Sequence, residues 1–321
     1  MQVKRELDMT AATVKSRYTG LIAAVFTPME QNRTLSLKMA PQIVEHLIGD
    51  GIRGLYVCGT TGEGLLLSIA ERRAVAQAYV AAAGGRIPVI VQVGHNSLTE
   101  ARGLAVHAGE IGADAIAAVP PMYFRPESTK VLIQCLRDIT SVVPGLPFFY
   151  YHIPSFTGMQ IDVLDLLRRA EQELPSLTGI KYSAMTMNEF QACLDFAQGR
   201  YAILFGCDDM LLSSLSVGAS GAVGSTYNFA APLYNALIDA FGQGDLEEAR
   251  RLQGLSLRMI RLLYRYRGQP AFKATMGLLG VDCGPNRLPI ETLSADEIQA
   301  MKRDLEEIGF FDWARGEGQA K

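Results

Sequence analysis

No apolar stretch of the chain reaches the roughly 18 residues that a membrane-spanning helix requires. The opening segment, MQVKRELDMTAATVKSR, contains no apolar core of the kind that directs export. The expectation is a cytoplasmic protein without a membrane partner, its residues 1–17 forming a loosely ordered arm. Cysteine is sparse: Cys58, Cys135, Cys193, Cys207 and Cys283 are odd in number, widely spaced and without a C-x-x-C pair, which argues against a disulfide framework. The four histidines, His46, His95, His107 and His152, show no H-E-x-x-H or other ligand-like spacing, so no metal is expected and the chemistry must run on side chains alone. Basic charge is not in excess either. Thirty Lys and Arg against 33 Asp and Glu give a net charge of −3 with no basic stripe, which argues against a nucleic-acid partner. No linker rich in Pro, Gly or Ser divides the chain.

What is present is apolar material for a large core: 49% of the 321 residues are hydrophobic and 20% charged. From Thr19 onward, short β-rich apolar runs alternate with amphipathic stretches of helix length. The predicted strands cover 20–28, 54–59, 88–94, 114–121, 147–154, 177–183, 201–206 and 221–227. Between them lie helical patterns such as Met39, Ile43, Leu47 and Ile48, and the Ala-rich stretch 68–83. Near-continuous apolar strands alternating with helices imply a parallel sheet covered on its outer face, and eight such units imply an α/β fold closed as a (β/α)8 TIM barrel. An open doubly wound sheet is the alternative. After Phe229 the strand signal stops, and 246–266, 271–279 and 295–308 read as helices. The predicted organisation is a barrel over 18–230, with 231–321 forming its last helix and a C-terminal helical extension packed on it.

In such barrels the reacting groups gather at the C-terminal strand ends. Strand two ends in Gly59-Thr60-Thr61-Gly62-Glu63-Gly64. Tyr123 follows strand four, Tyr150-Tyr151-His152 lies on strand five, and Lys181 and Ser183 lie on strand six. Strand seven ends in Gly206-Cys207-Asp208-Asp209 and strand eight in Gly224-Ser225-Thr226-Tyr227-Asn228. Six strands thus aim polar groups at one mouth. Lys181 is the sharpest signal, because a charged amine inside L-T-G-I-K-Y-S is expensive to bury. A strand-end lysine that snorkels to water is the bland alternative. Period two, however, puts Gly179, Lys181 and Ser183 on one face, and an inward lysine with a lowered pKa is a nucleophile suited to a Schiff base with a ketone.

The Gly59–Gly64 segment lacks the Walker lysine and is not G-x-G-x-x-G, so phosphate is not its natural ligand. Its glycines allow a tight turn, two hydroxyls and free N–H groups at a helix entrance suit a carboxylate, and a turn with ordinary capping is an equal reading. Tyr151 fits either the core or proton transfer beside a neutral lysine. Asp208 and Asp209 fit either helix capping or recognition of a polar substrate end, and Ser225 and Thr226 fit turn hydroxyls equally well.

G-T-T-G-E-G at Gly59, Y-Y-H-I-P at Tyr150, G-I-K-Y-S at Gly179 and G-A-x-G-A-V-G-S-T-Y-N ending at Asn228 resemble, in order, the pyruvate-dependent class I aldolase family that includes dihydrodipicolinate synthase and N-acetylneuraminate lyase. Y-H-I-P and G-S-T-Y-N are similar to the sialic acid lyases in particular. The resemblance implies a barrel, usually a homotetramer, that cleaves N-acetylneuraminate reversibly to N-acetylmannosamine and pyruvate, with no cofactor beyond a covalent Schiff base on Lys181. By position it implies Tyr151 as the proton-transfer group at the 4-hydroxyl, Thr60 and Thr61 as the carboxylate-binding pair, and Tyr123 as a tyrosine that reaches a neighbouring subunit's site. Ser183, Gly206, Asp208, Asp209 and Ser225 match positions lining the sugar end. Synthases of the family carry an arginine where this chain has Phe156 and an asparagine where it has His152, which disfavours aspartate semialdehyde as partner; lyases usually have Asp-Glu where it has Asp208-Asp209. Another lysine-dependent 2-keto acid aldolase, a dihydrodipicolinate synthase-like enzyme and a non-catalytic carboxylate-binding regulatory barrel remain as alternatives.

Overall fold

The computed structural model describes residues 17–314. The expected N-terminal arm, apart from Arg17, lies outside the described residues, as does the end of the chain from 315. Eight strands, β1 (Gly20–Ala24), β2 (Gly54–Val57), β3 (Val89–Gln92), β4 (Ala115–Ala118), β5 (Phe148–His152), β6 (Leu177–Tyr182), β7 (Ala202–Phe205) and β8 (Gly221–Gly224), pair in sequence order. All pairs are parallel, and β8 closes on β1. The (β/α)8 barrel is therefore as the sequence implies, and the doubly wound alternative falls because no strand order reverses. Each strand is shorter than its apolar run, because the residues after it leave the ladder to form the mouth.

The helices are α1 (Ala40–Gly49), α2 (Ile69–Ala83), α3 (Leu98–Glu110), α4 (Thr129–Thr140), α5 (Pro154–Thr157), α6 (Val163–Glu173), α7 (Met187–Ala197), α8 (Leu211–Ser216) and α9 (Tyr227–Gly242). The extension adds α10 (Leu246–Arg265), α11 (Gln269–Leu278), α12 (Ala295–Glu307) and α13 (Phe310–Ala314), the last without a counterpart among the sequence predictions. The starts are written locally. Ser68 and Ser294 form capping boxes with Glu71 and Glu297, and Ser97, Ser128, Asp162 and Asp245 each accept a first-turn N–H. α9 breaks at Ala230, ahead of Pro232. Among the described residues no helix is long and apolar enough to cross a membrane.

Alternation along the strands splits the core in two. Ile22, Tyr56, Ile90, Ala117, Phe149, Leu204 and Val223 fill the barrel, with Tyr18 set edge-on against Phe149 at 4.9 Å. Leu21, Leu55, Val91, Ile116, Phe148, Ile180 and Phe205 face the helices. Each fully buried large apolar side chain contributes roughly 1.5–3 kcal/mol, so truncating Phe149 to Ala is expected to cost about 3–5 kcal/mol. One irregularity positions the chemistry. Phe148 pairs with Leu177 but Phe149 with Gly179, so Thr178 is an extra residue on β6. Leu177 thus faces the outer core, and Lys181 comes opposite Tyr151 with both side chains inward.

Candidate active site

Lys181 is only 4% exposed and makes no hydrogen bond or ion pair among the described residues. Its Nζ lies 4.1 Å from the centroid of the Tyr56 ring and 4.2 Å from that of Tyr151, a nitrogen held between two π faces. The two rings meet edge to face at 5.5 Å. They differ at their hydroxyls. Tyr151 Oη is 3.4 Å from Thr60 Oγ1, whereas Tyr56 Oη is buried without a partner among the described residues, and burial pushes that phenol's pKa well above its ordinary value.

The loop after β2 begins and ends in the left-handed region at Cys58 (φ 59°) and Glu63 (φ 56°), while its glycines lie outside that region. The sequence reading that glycines supply the turn is corrected here. Gly59, Gly62 and Gly64 are instead places of close approach, where an added Cβ would lie 2.8 Å from the Tyr56 ring, 2.9 Å from Val25 O and 1.9 Å from Cys58 O. The N–H groups of Thr60 and Thr61 have no acceptor among the described residues. Thr60 is exposed; Thr61 is buried, its Oγ1 2.6 Å from Ser225 Oγ.

Across the mouth, Ser183 Oγ is buried and has no partner among the described residues, and a Cβ at Gly206 would lie 2.0 Å from it. Asp208 sits in a single 3-10 turn, Asp208–Met210, and does not cap it. Its Oδ2 accepts instead from the Thr226 N–H (2.8 Å) and hydroxyl (2.6 Å) on the β8 side, while a Cβ at Gly224 would lie 2.0 Å from Oδ1. Burial pushes the Asp208 carboxyl above the usual carboxylate range, against those two hydrogen bonds. Behind it, Tyr234 Oη lies 2.7 Å from Thr226 Oγ1 and 2.8 Å from Ser256 Oγ. Gln253 closes the chain by donating to Ser256 Oγ and to the Asp209 carbonyl. The Asp209 carboxylate has no partner among the described residues. Burial and the adjacent acids push the Cys207 thiol up to about 12, so it is a bystander.

Lys181, Tyr151 and Thr60 thus form one contact cluster, and Ser225 joins it through Thr61. Tyr123 stands apart: it is 80% exposed and its ring meets Phe124 at 5.0 Å. His152, two residues from Tyr150, faces outward onto Tyr182 at 5.2 Å, and burial holds its imidazole down to about 4. Among the described residues no group of three or more His, Cys, Asp or Glu is placed to hold a metal ion.

Sequence reasoning missed a polar shell around this cluster. Glu63 is buried against Lys273, Nζ to Oε1 2.8 Å, with side chains 0% and 1% exposed. Arg72 is buried on the Gln92 and Gly94 carbonyls and the Gln92 side chain, with no carboxylate partner among the described residues. The signal that singled out Lys181, one cation in an apolar run, is present in P-A-F-K-A-T-M for Lys273 as well. Glu63, Arg72 and Tyr56 have no comparable signal, because their burial is set by elements far away in sequence.

Comparison with known proteins agrees with this geometry. The rat N-acetylneuraminate lyase is 39% identical over 304 residues, 93% of this chain and 95% of the relative. The Proteus mirabilis N-acetylneuraminate lyase superposes with a TM-score of 0.89 at 36% identity, covering 92% of this chain and 99% of that one. A catalytic lysine mutant of Ruminococcus gnavus sialic acid aldolase superposes with a TM-score of 0.87 at 27% identity, covering 92% and 97%. Residues 17–308, from the start of the barrel through α12, match the family model described as the dihydrodipicolinate synthetase family, and the chain belongs to that family.

Proposed function

We propose that this chain is a class I aldolase, a carbon–carbon lyase that cleaves N-acetylneuraminate reversibly to N-acetylmannosamine and pyruvate. The observation that carries the reading is the Lys181 amine enclosed between Tyr56 and Tyr151 at the end of a barrel strand. The lyase names of the relatives support the substrate.

In this mechanism the neutral amine of Lys181 attacks the 2-keto carbon of the open-chain sugar acid, and the carbonyl oxygen leaves as water. The product is a protonated imine. The substrate carboxylate accepts from the free N–H groups of Thr60 and Thr61 and from the Thr60 hydroxyl. Tyr151 takes the 4-hydroxyl proton, the C3–C4 electron pair moves to form the enamine, and the aldehyde sugar departs. Protonation at C3 and hydrolysis release pyruvate and restore the amine. As Tyr151 takes the 4-hydroxyl proton it hands its own phenolic proton through the Thr60 hydroxyl, 3.4 Å away, to the substrate carboxylate. Ser183, the Gly206 backbone, the free oxygen of Asp208, Asp209 and Ser225 line the polyol end. No organic cofactor or metal enters this scheme.

We infer a homotetramer working in the cytoplasm. This reading is supported by apolar surface at the mouth: the exposed Tyr123–Phe124 pair, and a cavity of about 230 Å³ beside Thr60 lined by Leu65, Met122, Phe156 and Ile290. Mass in solution tests the assembly. The test of the chemistry is borohydride reduction in pyruvate, which is expected to add one reduced pyruvyl unit to Lys181, mapped by mass spectrometry. Labelling of another lysine, or of none, overturns the class I assignment.

A further inference from the structure

The loop that carries Thr60 and Thr61 is bounded by two non-glycine residues in the left-handed region, Cys58 and Glu63, a conformation that persists only where surrounding contacts impose it. Thr27 Oγ1 supplies one of these by donating to the Gly62 carbonyl at 2.6 Å. Ser225 Oγ, 2.6 Å from Thr61 Oγ1, supplies another, and a further set comes from the C-terminal extension. Gln269 Nε2 donates to the Thr61 carbonyl at 2.7 Å. One helical turn on, Lys273 Nζ donates to Glu63 Oε1 (2.8 Å) and to the Pro285 carbonyl (2.8 Å). Asn286 Nδ2 donates to the same Glu63 oxygen (3.1 Å) and the Arg287 N–H to the other (2.7 Å). Gln269 and Lys273, at i and i+4, lie on one face of α11. Burial pulls the Lys273 pKa down while Glu63 raises it, as expected of a cation held in place by its counter-charge.

We propose that Gln269 and Lys273 are positioning residues for the substrate carboxylate: α11 sets the Thr60–Thr61 donors from outside the barrel, so that the extension is part of the active site. This rests on the aldolase reading above. Glu63 has its carboxylate fully used by these contacts and does not face substrate. Its part is to transmit the position of α11 to the loop.

The test is the concentration dependence of borohydride trapping with pyruvate and with acetone, which lacks the carboxylate, on the full chain. Gln269→Leu removes one hydrogen bond at a half-buried site and keeps the fold; the half-saturating pyruvate concentration should rise about 3- to 10-fold. The paired change Glu63→Gln with Lys273→Met removes both charges together, leaving no unpaired ion, and should raise it about 10- to 100-fold. In both variants labelling at saturating pyruvate stays on Lys181, and the preference for pyruvate over acetone shrinks. Lower thermal stability with an unchanged pyruvate-to-acetone preference would show a purely structural clamp and overturn the proposal. If the unaltered chain fails to trap pyruvate on Lys181, it is the aldolase reading that fails instead.

Discussion

The two sides of the barrel mouth are built on opposite plans. On the β2, β5 and β6 side the reactive groups are left unsatisfied among the described residues: the Lys181 amine has no hydrogen bond and lies over two ring faces, the Thr60 and Thr61 N–H groups have no acceptor, and the Tyr151 hydroxyl has a single long contact at 3.4 Å. On the β7 and β8 side the groups are tied in advance, with Asp208 held by Thr226 and backed by Tyr234, Ser256 and Gln253. A buried group without a partner is costly in the free protein but ready to gain a full interaction when substrate arrives. A group already bonded is fixed in place and has less left to offer. The difference teaches that the chemistry is concentrated on the first side, while the second is a template whose free acceptors are one Asp208 oxygen and Asp209.

The hardest way to break this contrast is to remove the nucleophile. Lys181→Met is expected to abolish borohydride trapping and cleavage together, read by mass spectrometry and pyruvate release, with the fold retained because a methionine fills the same slot between the rings. The next largest effect separates the two tyrosines. Tyr151→Phe should keep trapping yet lose cleavage on the order of 100-fold or more, the scale of a positioned proton-transfer group. Tyr56→Phe should stay within about threefold, because the hydroxyl it removes has no partner. Equal losses would mean that both hydroxyls act and that the assignment of Tyr151 alone is wrong.

On the template side, Asp208→Ala should lower kcat/KM for N-acetylneuraminate by roughly 10- to 150-fold while sparing pyruvate trapping, the loss of one hydrogen bond to a charged group. Asp209→Glu, which restores the residue usual in the lyases, should preserve or improve cleavage. Lower stability with unchanged discrimination between full-length and shortened sugars would reduce Asp208 to a tie between β7 and β8.

The last effect lies outside the mouth and falls on stability, leaving the chemistry untouched. Burial holds the His152 imidazole at about 4, against 6.5 for the free group, so between these values the unfolded chain binds the proton and the folded chain does not. Stability therefore falls as pH drops from about 6.5 towards 4, by up to about 3 kcal/mol, and is fully recovered above 6.5. His152→Asn should flatten that acid limb in thermal melts. An unchanged limb would place the acid sensitivity elsewhere.

The legible part of the molecule was what local pattern encodes. All eight strands and the three long helices of the extension followed from runs of apolar residues and their period. Lys181 was legible because one cation stands in an apolar strand; Lys273 carried the same signal in a helix, where a long side chain on an exposed face would have been the ordinary outcome. The loop glycines misled, since the positive φ angles fall on Cys58 and Glu63 and the glycines serve close approach. The capping reading of Asp208 failed for a similar reason: its partner, Thr226, is brought to it by the neighbouring strand end, not by its own turn.

By itself the sequence determined the alternating strands and helices, the closed barrel they must form and the collection of polar residues at one end, because these depend on side-chain period and on interactions within a few residues. Only the tertiary structure decided which of those residues meet. The extra residue Thr178 sets Lys181 opposite Tyr151, the closure of β8 on β1 brings Ser225 to Thr61, and the return of α11 buries Lys273 against Glu63. Each of these rests on a register or a contact across tens to hundreds of residues. A one-residue slip would turn the same side chain to the opposite face.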